Sequence, residues 1–322
     1  MFELTFLGTA ASTPSAERGL PALLVGAGGH RFLIDCGEGT QRQILRAGTG
    51  FRRLGHVLLT HAHLDHVLGL AGLVATLGLL DLRGELAICG SGETVEFVER
   101  YLSALWPQRQ APVPLRFVVL DPGPVLEGGG FRVSCFPVRH RSTQSLGFRF
   151  DETPRRHLRP AALTALGVPD GPLRGQLATG NSITLPDGRR VEPDEVLAPP
   201  APGASLAVIG DAGEIDSLIE PVRGADALVI EATFLEADAG LAAERGHLTA
   251  REAGRLAAAA DVGALYLTHI SGRYDPAEIA AEAGALFPNV TVVGDFERAG
   301  VLARGRSPSE KRTRSPRHNS SG

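Results

Sequence analysis

Short apolar runs bounded by Gly, Pro and Asp recur through most of the chain, and stretches with helical periodicity lie between them. Runs of this length that are rich in β-branched residues are typical of buried strands. In the first half the pattern predicts strands at 2–7, 22–25, 31–35, 57–60, 86–89, 115–120, 131–138 and 146–150. Further along it predicts strands at 205–209, 227–231, 264–268 and 290–293. Strands that alternate with helices indicate an α/β fold with mixed sheets.

This rhythm breaks between residues 151 and 204, where prolines and glycines are frequent. A long segment of this kind inside a compact domain is usually functional or mobile. We predict an insertion with one short helix near 160–166 and a hairpin around Asp187 and Gly188; a disordered linker is the alternative. The predicted organisation is one fold made of 1–150 and 205–303, an insertion at 151–204, and a basic disordered tail at 304–322.

Composition and the start of the chain narrow the class of protein. With 43% hydrophobic residues among 322, the chain can bury a large core. It does not begin with a basic segment followed by an apolar one, and its longest apolar stretch, 67–80, is too short to span a bilayer. Its three cysteines show no C-x-x-C spacing, which suits reduced thiols. We therefore expect a cytoplasmic protein without a membrane segment.

The basic groups are almost all arginines. The formal net charge is −4, divided between +5 on residues 304–322 and −9 on the rest. Lys311, in the tail, is the only lysine. Any phosphate contact made by the folded part must therefore come from arginine, backbone N–H groups or small hydroxyls.

Four possible metal ligands lie within six residues: His61, His63, Asp65 and His66. A short apolar run predicted to be a strand precedes them and an apolar helix at 67–80 follows, which places the ligands on the connecting turn. His61 and His63, two apart in extended backbone, can converge on one ion and leave the other two for a second ion. The alternative is a polar turn that is merely rich in histidine, although solvated turns favour Gly, Asn, Asp and Ser.

Three further polar residues, His140, Asp211 and His269, follow the ends of predicted strands. The carboxyl edge of an α/β sheet is where sites collect, although each residue taken alone could belong to the surface or the core. Together with the dense cluster they complete a set for two ions. We expect His61, His63 and His140 on the first ion, Asp65, His66 and His269 on the second, and Asp211 between them. The ligand types suit zinc and tolerate manganese or cobalt.

These ligands resemble the metal-binding residues of the metallo-β-lactamase fold, and four further stretches resemble its ribonuclease Z branch, the tRNA 3′-processing endonucleases. The string Asp-Cys-Gly-Glu-Gly-Thr-Gln at 35–41 is the most specific branch marker. The other stretches are 6–9 with Pro14 and Arg18, Gly246-His247 with Thr249, and 269–274. The resemblance covers about residues 1–295. The chain departs from the branch pattern at Leu64, Ala212, Ile230 and Leu248, none of which removes a ligand.

The resemblance implies an αββα sandwich of two mixed sheets with an inserted flexible arm. In that branch the arm grips the elbow of the tRNA, and Gly171-Pro172 resembles its Gly-Pro motif. It also implies two zinc ions per subunit and a homodimer in which the arm of one subunit serves the site of the other.

The activity implied by the resemblance is cleavage of precursor tRNA just after the discriminator base, leaving a 3′-hydroxyl. Asp65 would accept the proton of the attacking water, and His247 would donate to the leaving oxygen or stabilise the charged phosphorane. The candidate substrate contacts are Arg273, Thr249, Gly171 and Pro172, and Asp35 and Glu231 would support the ligands. For Arg273 an ion pair with a carboxylate is the alternative.

Three other functions remain open on the sequence. A phosphodiesterase of the same fold acting on small molecules or cyclic nucleotides would need no arm. A metal-stabilised RNA-binding protein without catalysis is disfavoured, because Asp65 and the full ligand set are intact. A β-lactamase or thioesterase would explain the metal ligands but not the arm or the string at 35–41.

Overall fold

The computed structural model describes residues 1–81, 84–107 and 110–304. Except for Arg304, the predicted disordered tail lies outside the described residues. The chain divides into two compact units. Residues 1–151 together with 204–304 form the first unit, and Glu152–Gly203 form the second.

The strands of the first unit build two seven-stranded sheets. They are β1 Phe2–Gly8, β2 Ala22–Ala27, β3 His30–Ile34, β4 Leu54–Leu58, β5 Leu86–Gly90, β6 Leu115–Val119, β7 Gly123–Gly128, β8 Phe131–His140 and β9 Thr143–Glu152; the second unit contains β10 Ile183–Thr184 and β11 Arg190–Val191; the first unit continues with β12 Ser205–Val208, β13 Ala227–Glu231, β14 Leu265–Thr268, β15 Val290–Val292 and β16 Arg298–Val301. The strand orders are β16-β1-β2-β3-β4-β5-β6 and β15-β14-β13-β12-β9-β8-β7. Both sheets are mixed, since β3 to β6 and β12 to β15 run parallel and the other pairs antiparallel.

Both units also contain helices. They are α1 Thr40–Arg46, α2 Leu64–Val67, α3 Leu70–Leu79, α4 Gly92–Leu105, α5 Pro160–Ala165, α6 Pro172–Ala178, α7 Pro193–Val196, α8 Ile219–Val222, α9 Ala239–Arg245, α10 Ala250–Ala259 and α11 Pro276–Gly284. One core joins the inner faces of the sheets, a second joins the first sheet to α1, α3 and α4, and a third joins the second sheet to α10 and α11. The predicted αββα sandwich of two mixed sheets is therefore confirmed.

Burial on both faces explains why the central strands are continuous apolar runs. In β3 the side chains of Phe32 and Ile34 enter the core between the sheets, whereas Leu33 faces the helices. In β12, Leu206 and Val208 face the other sheet in the same way. A parallel strand that is covered on both sides cannot alternate apolar with polar residues. The first polar residue of such a strand therefore comes at its end, so the polar side chains that can bind a ligand lie at the carboxyl edge of the sheet.

Every strand predicted from the pattern is present, but the boundary after β4 differs from the prediction. Asp65 and His66 lie in α2, a separate helical turn, instead of on the connecting turn. The predicted helix at 67–80 breaks at Gly69, whose backbone N–H donates to the Cys36 carbonyl at 2.8 Å. A Cβ on Gly69 would lie 2.0 Å from the carbonyl oxygen of Gly37. Contact with the 35–41 segment thus fixes the direction in which α2 presents its ligands.

The second unit has a hydrophobic core of its own. The predicted short helix and hairpin are present as α5 and as the pairing of β10 with β11, and α6 and α7 complete the unit. Its core consists of Leu163, Val168, Leu177, Ile183, Leu185, Val191 and Val196. Such packing is that of a small folded element, not of a disordered linker. Among the described residues, no helix has the length and apolar character needed to cross a membrane.

Candidate metal centre

Strand ends and the turns that follow them bring the candidate ligands to one edge of the first unit. His61 and His63 follow β4, and α2 adds the next two ligands. His140 is the last residue of β8. Asp211 comes shortly after β12, and His269 directly after β14. Contributions from both sheets therefore meet where their inner faces end.

A first group of ligand atoms consists of those of His61, His63, His140 and Asp211, which all lie within 4.8 Å of one another. The Nε2 atoms of His61 and His140 are each 3.7 Å from Oδ2 of Asp211. His63 Nδ1 lies 3.2 Å from His140 Nε2. These are the three histidines that the sequence assigns to the first ion.

The second group of ligand atoms lies next to the first and consists of those of Asp65, His66 and His269. The Nε2 atoms of His66 and His269 lie 3.4 and 3.3 Å from Oδ1 of Asp211. The same nitrogens lie 3.7 and 3.5 Å from Oδ2 of Asp65. Asp211 therefore turns one oxygen towards each group, which is the arrangement that a bridging carboxylate requires.

Several of these atoms are buried without a hydrogen-bond partner among the described residues: Nε2 of His61, His66 and His269, and Oδ1 of Asp211. Buried polar atoms almost always have a hydrogen-bond partner, so a cluster of such atoms without partners requires an explanation. A divalent cation supplies it, since imidazole nitrogens and carboxylate oxygens are ligands of zinc, manganese and cobalt. The residues present fit a metal centre.

Asp35 and Thr60 orient the first histidines. Asp35 accepts hydrogen bonds from the Thr60 backbone N–H and from His66 Nδ1, both at 2.8 Å. The Thr60 hydroxyl donates to the same carboxylate at 2.9 Å and lies 3.0 Å from His61 Nδ1. With Nδ1 engaged in both rings, Nε2 is the nitrogen directed into the cluster. Such outer contacts fix the ring orientation of a ligand.

Equivalent contacts orient the other two rings. His140 Nδ1 lies 2.6 Å from the carbonyl oxygen of Gly246, and His269 Nδ1 lies 2.9 Å from the hydroxyl of Thr233. Thr233 in turn donates to Glu231. Neither Thr60 nor Thr233 is identified by the sequence analysis. Their only signal there is position, because each is adjacent to a strand end that bears a candidate residue.

His247 lies beside the two groups of ligand atoms and contacts Glu231. The fully buried Glu231 carboxylate accepts a hydrogen bond from the Ala212 backbone N–H at 2.7 Å and lies 3.0 Å from His247 Nδ1. Burial opposes protonation of His247, but the Glu231 carboxylate outweighs it and raises the pKa of this imidazole to about 9. The ring stacks on His269 with centroids 5.4 Å apart. The raised pKa favours the protonated form of His247, which lies beside Asp211 and His269.

The surroundings of His61 and Asp211 shift the pKa values of both groups. Burial lowers the pKa of His61 well below its ordinary value, so that the ring is neutral, as a metal ligand must be. Burial also disfavours the charged form of Asp211. The neighbouring His269 and His66 outweigh this effect of burial and hold the pKa of Asp211 well below the usual range. Asp211 is therefore a carboxylate, the form in which it could bind a divalent cation.

A cavity of about 440 Å³ opens beside His247. Four arginines contribute to its wall, Arg18, Arg141, Arg245 and Arg273, together with hydroxyl groups from the 10–19 loop. None of the described residues that line it is acidic. Arg273 is exposed on this wall.

The other candidate substrate residues are Thr249, Gly171 and Pro172. Thr249 is fully buried at the start of α10, where its hydroxyl accepts a hydrogen bond from the Glu252 backbone N–H and donates to Glu236. This geometry gives its side chain a capping role and leaves no free group for substrate. Gly171 and Pro172 belong to the second unit, at the start of α6, where Gly171 has a left-handed φ of 130°.

Comparison with known proteins places the chain within one superfamily. A family model described as a beta-lactamase superfamily domain matches residues 30–196 and 195–270. A ribonuclease Z from Bradyrhizobium diazoefficiens is 56% identical over 297 residues, covering 92% of this chain and 99% of the relative. A ribonuclease Z from Archaeoglobus fulgidus is 39% identical over 300 residues, covering 92% and 96%.

Solved structures share the fold. The crystal structure of human tRNase Z, short form, matches with a TM-score of 0.65 at 24% identity, covering 93% of this chain and 99% of that one. The metallo-beta-lactamase fold protein YhfI from Bacillus subtilis matches with a TM-score of 0.67 at 19% identity, covering 92% and 98%. At these identities the likeness establishes the architecture only.

Proposed function

This chain belongs to the ribonuclease Z family of the beta-lactamase superfamily, and we propose that it is a metal-dependent endoribonuclease that removes the 3′ trailer from precursor tRNA. The cut falls after the discriminator base and leaves a 3′-hydroxyl. One observation carries this proposal: the ligand set and His247 converge at one edge of a fold whose sequence is 56% identical to a ribonuclease Z over almost its full length.

Two zinc ions are the proposed cofactors. His61, His63 and His140 would hold one, Asp65, His66 and His269 the other, and Asp211 both. Bound divalent cations supply a charge that lowers the pKa of water and neutralises a phosphate. The chain's own contribution is to place a proton acceptor and a proton donor on either side of that phosphate.

Asp65 is the proposed proton acceptor. The Ser12 backbone N–H, His66 Nε2 and His269 Nε2 all approach the same oxygen, Oδ2, at 3.1, 3.7 and 3.5 Å. We therefore assign proton transfer to Oδ1. A base held at one oxygen keeps a fixed direction towards the attacking water, as general-base catalysis requires.

His247 is the proposed proton donor. Its Nδ1 is held by Glu231, so Nε2 is the nitrogen left to protonate the 3′-oxygen of the discriminator nucleotide as the bond between that oxygen and phosphorus breaks. The arginine-lined cavity beside it accommodates the charged backbone next to the scissile bond, with Arg273 on a neighbouring phosphate.

The second unit is the proposed tRNA-binding arm, with Gly171 and Pro172 at its contact point and a homodimer as the working assembly in the cytoplasm. Its arginines are largely paired with acidic neighbours. Arg156 lies 2.5 Å from Asp194, Arg174 2.5 Å from Asp170, and Arg189 2.8 Å from Asp187. We infer that the arm recognises the tRNA by shape and backbone contacts more than by net charge.

The experiment is to incubate zinc-loaded protein with labelled precursor tRNA carrying a 3′ trailer. We expect trailer removal by the wild type and a loss of at least about 100-fold in Asp65→Ala, since a general base contributes about that much. His30→Ala changes an exposed histidine at the start of β3 and is the matched control. An intact trailer, with hydrolysis of bis(p-nitrophenyl) phosphate, would instead favour a small-molecule phosphodiesterase.

A further inference from the structure

A loop at residues 10–19 joins β1 to β2 and closes on itself at its base. The Ala10 backbone N–H donates to the Gly19 carbonyl at 2.9 Å. We propose that Asp295, which precedes β16, is a positioning residue that clamps this loop base and thereby orients Asp65 and His269. The inference rests on the proposed function, because it concerns the same centre. It assigns a role to Asp295, whose hydrogen bonds go to Thr9, Gly19 and Gln43 and not to the candidate metal ligands.

Asp295 binds the loop base from two sides. Its Oδ1 accepts a hydrogen bond from the Thr9 hydroxyl at 2.7 Å, and its Oδ2 accepts from the Gly19 backbone N–H at 2.7 Å. Gln43 Nε2 donates to Oδ2 at 2.6 Å. Arg18 completes the contact by donating to the Thr9 hydroxyl at 2.7 Å and to the Val293 carbonyl at 2.6 Å. Both ends of the loop are thus tied to the segment before β16.

The first path from the clamp to the centre passes through Ser12. Its backbone N–H donates to Asp65 Oδ2 at 3.1 Å, and its φ is 56°, in the left-handed region. A residue other than glycine or asparagine keeps this conformation only when its surroundings hold it there. The clamp at the loop base provides that restraint.

The second path runs along the backbone next to His269. The Ile270 N–H donates to the Thr9 carbonyl at 2.8 Å, and the Ala11 N–H donates to the Ile270 carbonyl at 3.1 Å. His269 itself has a left-handed φ of 56°. The residues that Asp295 fixes therefore also fix the backbone direction from which His269 reaches the centre.

A purely architectural role for Asp295 is less consistent with these contacts. β1 is already held in its sheet by ladders with β2 on one side and β16 on the other. The carboxylate makes its contacts beyond those ladders, at Thr9 and Gly19. Space is tight there, because a Cβ on Gly19 would lie 2.8 Å from Gln43 Nε2.

The test is Asp295→Asn, which keeps the volume but replaces an acceptor oxygen with a donor. We expect kcat to fall about tenfold on both precursor tRNA and bis(p-nitrophenyl) phosphate, with KM for tRNA changed by less than about twofold. Residues that orient metal ligands contribute about 10- to 100-fold to metal affinity or activity. Backbone amides of the 10–19 loop should exchange hydrogen faster, and zinc should leave to a chelator faster.

Asp226→Asn is the matched control. Asp226 is also partly buried and accepts from two backbone N–H groups, those of Ser205 at 2.7 Å and Arg304 at 2.8 Å, away from the centre. It should lower the melting temperature without changing kcat or exchange in the loop. A second pair of variants is used if Asp295→Asn does not fold. Thr9→Val should show the effects expected of Asp295→Asn, whereas Thr9→Ser, which keeps the hydroxyl, should behave as the wild type.

Wild-type kcat and unchanged loop exchange in Asp295→Asn would overturn the inference, as would equal losses in Asp226→Asn. Should Asp295→Asn not fold, equal behaviour of Thr9→Val and Thr9→Ser would overturn it. If the wild type cleaves neither substrate, the proposed function fails instead, and hydrogen exchange in the loop and zinc release still decide whether Asp295 clamps the centre.

Discussion

Two buried carboxylates organise the centre at the scale of single residues. Asp35 and Glu231 each lie at the end of a central strand, and each is joined to a threonine hydroxyl and to a histidine Nδ1. Each therefore has its oxygens satisfied by neutral or cationic donors, which is what burial of a charge demands. The consequence is that the rings of His66 and His247 have a fixed orientation before any substrate arrives.

Asp35→Asn tests this role. Asparagine tolerates the left-handed φ of 58° found at this position, so the backbone should remain intact. It cannot accept with both atoms, and we expect zinc affinity to fall by about 10- to 100-fold. Competition with a chromogenic chelator measures it.

Asp261→Asn is the control, since Asp261 also has a left-handed φ, 51°, but lies exposed after α10 and should leave zinc affinity at the wild-type value. Equal zinc affinity in all three proteins would contradict the role assigned to Asp35.

At the scale of elements, the ends of strands and the start of α10 place the ligands and His247 at one edge of the first unit. His247 and Leu248 immediately precede Thr249, the N-cap of α10, which forms a capping box with Glu252. The Phe234 N–H donates to the Leu248 carbonyl at 3.2 Å, which ties the same segment to the residues after β13. The cap of α10 therefore also sets the position of the proposed proton donor.

Thr249→Ala should cost about 1 kcal/mol of unfolding free energy, as loss of a cap usually does, and it should also lower kcat because His247 loses its anchor. Asp275 is the N-cap of α11, and its side chain accepts a hydrogen bond from the Ala277 N–H. Asp275→Ala removes this cap and should cost a similar free energy of unfolding. Urea unfolding and initial rates on bis(p-nitrophenyl) phosphate compare the two. An equal effect on kcat would show that the α10 cap has no special link to the centre.

At the scale of the whole molecule, the two compact units suggest a division of labour. The second unit has its own core, and its ends are adjacent, since a Cβ on Gly203 would lie 2.2 Å from the Glu152 carbonyl oxygen. Replacing residues 153–202 with a short glycine-serine linker should therefore leave the first unit folded. We expect hydrolysis of bis(p-nitrophenyl) phosphate to persist and cleavage of precursor tRNA to be lost. Equal loss of both activities would argue against this division.

Mixing tests the proposed dimer. The arm-deleted protein retains a centre, and Asp65→Ala retains an arm. If the arm of one subunit serves the site of its partner, mixing the two after subunit exchange should restore cleavage of precursor tRNA that neither performs alone. Sedimentation at the assay concentration checks that mixed dimers form; cleavage that stays absent in formed mixed dimers would oppose the arrangement.

Local patterns were sufficient for most strands and for the ligand list, but not for edge strands. β7 and β16 are not predicted, because each contains glycine and has few buried side chains, so it carries little apolar signal. Their pairing comes from the neighbouring strands. The capping box at Thr249 is also visible in the sequence, yet only burial shows that its hydroxyl is fully occupied by α10 and Glu236.

By itself the sequence determined the class of fold, the residue types of the centre and the family, because buried parallel strands must be apolar and ligands must follow where they end. Tertiary structure alone decided which oxygen of Asp211 faces each group, that α2 is a separate turn, and that Asp295 lies behind the 10–19 loop. Asp295 and Thr9 are 286 residues apart, and contacts between such distant positions depend on how the sheets close. No local periodicity encodes that closure.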